Sequence, residues 1–255
     1  MTGAAAEPPF LRLAGHPLRW RLMSELVRSD RRVGELCDLA GERQNLVSYH
    51  LRQLRDGGLV RARRSIADRR DTYYAIDLQR CARLLSDVGS ALHPAFASRD
   101  GELAAQRPPT RRRPGVSIRL LFICTGNSAR SQMAEALAVQ LSGGTVEAAS
   151  AGTSPKRLHP EAVRVMGRRG MDIAGRRAKH LSELDGQRFD RVITLCDRAR
   201  ENCPEFPEAI HWSTPDPAAE PDLEAFERVA AEIETRIAYL LETVDHDLEE
   251  TANAG

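Results

Sequence analysis

The chain has 255 residues, 42% hydrophobic and 29% charged, with a formal net charge of +1, which suits one large domain or two modest ones. No stretch approaches the ~20 apolar residues needed to span a bilayer, and Met1 to Arg12 lacks the basic start and apolar run of a secretion signal, so neither membrane nor secretion is expected. Five widely spaced cysteines (Cys37, Cys81, Cys124, Cys196 and Cys203) do not form the pattern of a secreted disulfide framework, and a reduced, cytoplasmic protein is the expectation.

The near-neutral total conceals two biased ends. Arg43 to Arg70 holds eight arginines against Asp56 and Asp68, a net of +6. Asp216 to Glu250 holds twelve acids against Arg228 and Arg236, a net of −10. Opposite bias at the two ends suggests two jobs, with the basic end suited to nucleic acid.

In chain order, residues 9–91 read as mostly helical. Leu18, Leu22, Leu26 and Val27 predict one apolar helical face, Val33 to Leu39 a short second helix, and Asn45 to Asp56 a third that stops at Gly57-Gly58. Leu59 to Arg64 and Thr72 to Ile76 read as a hairpin whose tip carries Asp68-Arg69-Arg70. Leu78 to Val88 returns to helical spacing. Residues 92–117 contain Pro94, Pro108, Pro109, Pro114 and three successive arginines, and read as a linker.

From Ile118 the pattern changes to strands alternating with helices. Ile118 to Ile123, Thr145 to Ser150, Arg191 to Leu195 and Ile210 to Trp212 are strand candidates, with helices over Ser131 to Leu141 and His159 to Arg169. Pro221 sits where a last helix would begin, lined by Leu223, Phe226, Val229, Ile233, Ile237, Leu240 and Val244. This alternation indicates an open parallel α/β sheet.

Cys124 follows a buried strand and precedes a helix, where sheets of this kind bind ligands. The small residues Thr125, Gly126, Asn127, Ser128 and Ala129 would turn their N–H groups inward, and the helix N-terminus adds positive potential. Both favour a tetrahedral oxyanion and the thiolate form of a cysteine in the same cradle. Arg130 would return to the loop to grip two oxyanion oxygens, and Ser131 would donate to the thiolate.

This run resembles the low-molecular-weight protein tyrosine phosphatase superfamily. The resemblance extends to Ser150-Ala151-Gly152-Thr153, Leu158-His159-Pro160-Glu161-Ala162-Val163, Lys179-His180-Leu181, Val192-Ile193-Thr194-Leu195 and Asp216-Pro217, over about 118–244. Within the superfamily, phosphatases take their acid from an Asp-Pro pair, and thioredoxin-coupled arsenate reductases add two cysteines after the third strand. Cys196-Asp197-Arg198-Ala199-Arg200-Glu201-Asn202-Cys203-Pro204 is similar to that cysteine pair. The resemblance implies arsenate as substrate, Cys124 as nucleophile, Asp216 as acid, and a relay from Cys124 through Cys196 to Cys203. An external dithiol, thioredoxin or similar, would reset it, with no tightly bound cofactor. Residues 197–202, a charged and mobile segment, would have to rearrange. In some reductases of this branch a potassium ion sits beside the loop, and Asn127, Glu135 and Ser150 match those positions. Ala129 stands where many such reductases have a further cysteine, and Ala218 where the phosphatases usually have tyrosine. A tyrosine phosphatase, or an oxyanion domain that only senses its ligand, are the alternatives.

Gln44 to Val60, with its Ser48-Tyr49-His50-Leu51 core, resembles the ArsR family of winged-helix repressors. The resemblance implies a homodimer on operator DNA. Gln44, Asn45, Ser48, Tyr49, His50 and Arg52 would face the major groove, and Arg63, Arg64, Arg69 and Arg70 would flank the duplex from the wing. Arsenite sensing in this family needs about three converging thiolates. Only Cys37 remains on the helix before the turn, and Cys81 lies on a later helix. An ordinary packing role for each is the first reading; the other is an arsenite site in which the two thiols of each subunit cooperate across a dimer. The expected architecture has two domains: a mainly α winged helix-turn-helix at 1–91 and, after the 92–117 linker, an α/β domain with a four-stranded parallel sheet at 118–245. A tail follows at 246–255.

Overall fold

A computed structural model describes residues 8–93, 118–143, 146–202, 206, 208–220 and 222–253. The chain forms two compact units, Met1–Leu103 and Ala104–Gly255. Among the described residues, no helix is long and apolar enough to cross a membrane.

The first unit runs α1 (Pro9–Ala14), α2 (Pro17–Arg28), β1 (Arg31–Arg32), α3 (Val33–Ala40), α4 (Gln44–Asp56), β2 (Val60–Arg64), β3 (Thr72–Ile76) and α5 (Leu78–Leu92). It is a helix-turn-helix with a three-stranded antiparallel sheet in the order β1-β3-β2. Gly41 closes α3 at φ 67°, a left-handed conformation that costs glycine little and lets the chain turn into α4. In α4, Val47, His50, Leu51 and Leu54 share the buried face at helical spacing. Val47, Leu51 and Leu54 pack with Leu22, Leu26, Leu36 and Leu59. Full burial of each such aliphatic side chain is worth roughly 1.5–3 kcal/mol, the main reason this short helix holds. The hairpin pairs Val60 with Ile76 and Arg64 with Thr72, one residue shorter at its start than the expected Leu59. Its tip is tied by Ser65 Oγ, which accepts from the N–H groups of Ala67 and Asp68. Arg32 in β1, a strand the sequence reading did not anticipate, bonds Asp71 across the sheet at 2.8 Å.

Two details of α2 and α5 differ from expectation. Val27 is exposed and Met23 takes its place in the core, because Leu22, Met23 and Leu26 define the inward arc. α5 continues to Leu92, the first residue of the expected linker, and 94–117 lie outside the described residues.

The second unit runs β4 (Ile118–Cys124), α6 (Arg130–Leu141), β5 (Val146–Gly152), α7 (Pro160–Arg168), β6 (Arg191–Thr194), α8 (Asp197–Asn202), β7 (Ile210–His211) and α9 (Leu223–Asn253). Short 3-10 turns occur at Leu181–Leu184 and Pro217–Ala219. The four strands are parallel in the order β5-β4-β6-β7. β4 is central, with Leu120 to Ile123 fully buried. α6 is buried on nearly every side from Arg130 to Ala138, lying against β4, β5 and α9. α9 packs through Phe226, Val229, Ile233, Ile237 and Leu241, with Leu241 rather than Leu240 buried; the side chain of Val244, also expected on this stripe, lies outside the described residues. α9 also runs on through residues expected to be a tail. Their polarity conceals Glu, Leu and Ala, which are good helix formers. Pro221, expected at the start of this helix, lies outside the described residues.

Candidate functional site

The register of the central strands sets the site. β4 and β6 are adjacent and parallel, with Ile123 opposite Thr194, so the chain leaves both strands on the same edge of the sheet. Cys124 ends β4, and Cys196 lies two residues past the end of β6. The loop Thr125–Ala129 wraps over this edge and enters α6 at Arg130.

Asn127 shapes the loop. Its φ of 45° is the one left-handed non-glycine conformation among the described residues. The buried side chain makes four bonds that hold this strained backbone. Nδ2 donates to Ser131 Oγ (2.9 Å) and Ser150 Oγ (2.8 Å), while Oδ1 accepts from Gln132 Nε2 (3.1 Å) and the Lys179 N–H (2.8 Å). Gly152 presses on the loop from β5: a Cβ there would meet Thr125 O at 2.7 Å and Asn127 N at 2.8 Å. The segment after β5 braces the loop again through Ser154 N–H to Thr125 O, Lys156 N–H to Gly126 O and His159 N–H to Ser128 O, each 2.8 Å.

The buried Cys124 Sγ receives the Asn127 N–H at 3.2 Å and lies 3.0 Å from Ser131 Oγ. Arg130 is buried, with Nη1 donating to Thr214 O at 3.1 Å and Nη2 3.4 Å from Asp216 Oδ2. Asp216 itself is half-exposed and caps the 3-10 turn at Pro217–Ala219. Cys196 Sγ lies 3.2 Å from Thr125 Oγ1. Burial pushes the Cys196 thiol up, while the Arg130 charge pulls the other way and a Cys124 anion adds to the rise. A buried sulfur, the Asn127 N–H turned toward it and a guanidinium together suit a tetrahedral oxyanion.

Residues 119–250, more than half of the chain, match the low molecular weight phosphotyrosine protein phosphatase family. The chain belongs to that family. Residues 16–62 match the bacterial regulatory proteins of the arsR family, so an ArsR-type helix-turn-helix precedes the phosphatase-family domain. That domain is 38% identical over 121 residues to arsenate reductase 2 of Staphylococcus epidermidis, covering 46% of this chain and 92% of that protein. It is 37% identical over 127 residues to an arsenate reductase of Brevibacillus brevis, covering 49% and 94%. A solved arsenate reductase in its phosphate binding state aligns at 31% identity and TM-score 0.46, over 49% of this chain and 98% of that one.

Within this phosphatase-family domain, the expected loop residues Cys124 to Ser131 come together, with Cys196 and Asp216 at their edge. Cys203 lies outside the described residues. Residues 197–202, expected to be a charged and mobile segment, form the helix α8, with Asp197 and Ala199 buried. Gln132, Gly152 and Thr214 were not anticipated as site residues. Gly152 alone left a trace, inside the Ser-Ala-Gly-Thr run.

The set Asn127, Glu135 and Ser150 does not fit a potassium ion. The Lys179 N–H is an unambiguous donor, so it fixes Asn127 Oδ1 as its acceptor and turns the Asn127 amide N–H toward Ser150. Glu135 is already faced by two cations, Arg176 Nη1 at 3.0 Å and Lys179 Nζ at 3.6 Å. The positive charge a potassium ion would supply beside Glu135 is already supplied by Arg176 and Lys179.

On the ArsR-type unit, Gln44, Asn45 and Arg52 are exposed, Tyr49 is 54% exposed and Ser48 half-buried. Arg64, Arg69 and Arg70 are exposed on the wing, and Arg63 is half-buried. Arg64 donates to Arg69 O, and Arg70 pairs with Asp68 at 3.3 Å. His50 is a correction. It is 5% exposed, three residues past Val47 and four before Leu54, and so on the core face of α4. Its ring lies 4.3 Å from that of His16, and burial, with the nearby His16 and Arg19, pulls its pKa down. It packs as a neutral ring and is not available to read bases. Cys37 and Cys81 both belong to the apolar core, and burial pushes Cys81 up to about 11. Arsenite binding there would first have to remove a firmly held proton.

Proposed function

We propose that this protein is a DNA-binding transcriptional regulator fused to an arsenate reductase that works by a three-cysteine relay. The observation that carries this reading is the second thiol, Cys196, beside Thr125 at the edge of the oxyanion loop. Hydrolysis of a phosphate ester has no use for it.

Arsenate docks against the loop N–H groups and Arg130. The Cys124 thiolate attacks arsenic; an As–S bond forms, an As–O bond breaks, and Asp216 protonates the departing oxygen, which leaves as water. Cys196, as thiolate, attacks Cys124 Sγ. The S–S bond forms and the As–S bond breaks with its electron pair left on arsenic, which departs as arsenite. Cys203 then attacks Cys196, restoring Cys124 as thiolate, and an external dithiol of the thioredoxin type returns two electrons and two protons. In the other unit, Gln44, Asn45, Ser48, Tyr49 and Arg52 of α4 meet the major groove while the wing arginines meet phosphates. Leu85 and Leu92, seven residues apart and exposed on α5, support a homodimer through this unit.

Replacing Cys203 with Ser tests the relay. The variant is expected to release one arsenite per chain and stop, while still hydrolysing p-nitrophenyl phosphate. Continued arsenate turnover would reject the relay. Phosphate ester hydrolysis with no arsenite at all would make this a regulator fused to a phosphatase, and neither activity would leave an oxyanion sensor.

A further inference from the structure

Behind Cys196 lies a buried polar network that the relay chemistry does not use. Asp197, at the start of α8, is fully buried, as is His211 at the end of β7. His211 Nε2 is 3.2 Å from Asp197 Oδ1, and Ser213 Oγ donates to the same oxygen at 2.7 Å. His211 Nδ1 is 2.9 Å from Thr194 Oγ1, at the end of β6. The four side chains therefore join the strand that leads into Cys196, the residue that follows it, and the neighbouring edge strand.

The chemistry of this set is self-consistent in either charge state of the imidazole. With Nε2–H directed at the carboxylate, a neutral ring accepts at Nδ1 from the Thr194 hydroxyl. A protonated ring donates to Thr194 Oγ1 instead, and the hydroxyl then turns to Ile210 O, 3.4 Å away. A carboxylate fully removed from water is tolerated only with such partners. Asp197 is thus bound to this spot, and Cys196, one residue before it, is fixed with it. The Arg200 N–H closes the turn onto Cys196 O at 3.1 Å, and Arg200 Nη1 holds Ala209 O at 2.9 Å.

We infer that the Asp197–His211–Ser213 network is the anchor that positions Cys196 for attack on the Cys124 sulfur. The inference rests on the reductase reading above, since only the relay needs Cys196 in place. His211 and Ser213 are positioning residues; neither touches the reacting atoms. The anchor also keeps α8 folded against β7 until the disulfide passes outward, which is when the 197–202 segment has to move.

The experiment uses the full chain carrying Cys203→Ser, so that the reaction halts at the Cys124–Cys196 disulfide. Ser213→Ala and His211→Leu are added singly, with His211→Gln as the conservative variant whose amide replaces the Nε2–H donor. Disulfide formation after mixing with arsenate is timed by acid quench and mass spectrometry. Ser213→Ala and His211→Leu are expected to slow it by about tenfold or more, and His211→Gln to recover most of the rate. Hydrolysis of p-nitrophenyl phosphate, which needs only the Cys124 loop, should change by less than about twofold, which separates misplacement of Cys196 from general damage. Hydrogen exchange at the amides of 198–202 in the reduced protein should quicken by about tenfold in the same two variants. Unchanged disulfide rates, or unchanged exchange, would overturn the anchor. If the Cys203→Ser parent itself forms no disulfide with arsenate, the reductase reading fails, and the exchange measurement still decides whether the network holds α8.

Discussion

Replacing Asn127 with Ala strikes the residue on which the loop depends. The substitution deletes four hydrogen bonds of 2.8 to 3.1 Å made inside the protein. At about 1 kcal/mol net for each, the loss is roughly 4 kcal/mol, and a left-handed backbone adds about 1 kcal/mol for alanine. Relaxation of the neighbours reduces this, leaving about 3–5 kcal/mol. Asn127→Gly loses the same bonds but is at ease at φ 45°, so it should be about 1 kcal/mol more stable than the alanine variant. Urea unfolding measures both. The chain has two tryptophans, one in each unit, and an exposed Trp20 changed to Phe leaves Trp212 as the reporter of the phosphatase-family domain. An Asn127→Ala variant within about 1 kcal/mol of its parent would refute the claim that this side chain holds the loop.

Three further outcomes are expected. Exchanging potassium for a large organic cation should change arsenate turnover by less than about twofold, because Lys179 and Arg176 already face Glu135. A strict potassium requirement would contradict this. Since burial raises the Cys196 thiol above its ordinary range, the thiolate is scarce at neutral pH and grows as pH rises. The rate of the first disulfide step should therefore climb from about pH 7 to 9, and a flat profile would count against this. On operator DNA, Arg69→Ala or Arg70→Ala should each reduce the salt dependence of binding by about one counterion without changing sequence preference. His50→Gln, by contrast, should lower stability and leave base preference intact. Loss of preference in His50→Gln would restore it as a base reader.

Much of this molecule was legible in its sequence where physics is local. Helix α4, the hairpin and the strand–loop–helix around Cys124 follow from periodicity, turn residues and a run of small side chains beside a buried strand. The misreadings of site residues share an origin: they concern which way a residue faces once distant segments pack. His50 looked polar and therefore outward, but its spacing from Val47 and Leu54 puts it on the inner face, and His16 from another helix covers it. Asn127, Glu135 and Ser150 looked like a cation site until Lys179, 52 residues after Asn127, supplied both a backbone donor and an ammonium. Asp197 and His211 lie 14 residues apart, and nothing in their spacing announces that they meet. The two-residue strand β1 was not anticipated because it is set by its partner β3 rather than by propensity.

The account turns on Cys196 acting as the second thiol of a reductase. Its most direct measurement is arsenate-dependent oxidation of NADPH by the full chain with thioredoxin and thioredoxin reductase. The parent should sustain consumption, and Cys196→Ser should abolish it while hydrolysing p-nitrophenyl phosphate undiminished. Equal consumption with and without the Cys196 sulfur, or none by the parent with any dithiol donor, would contradict the assignment.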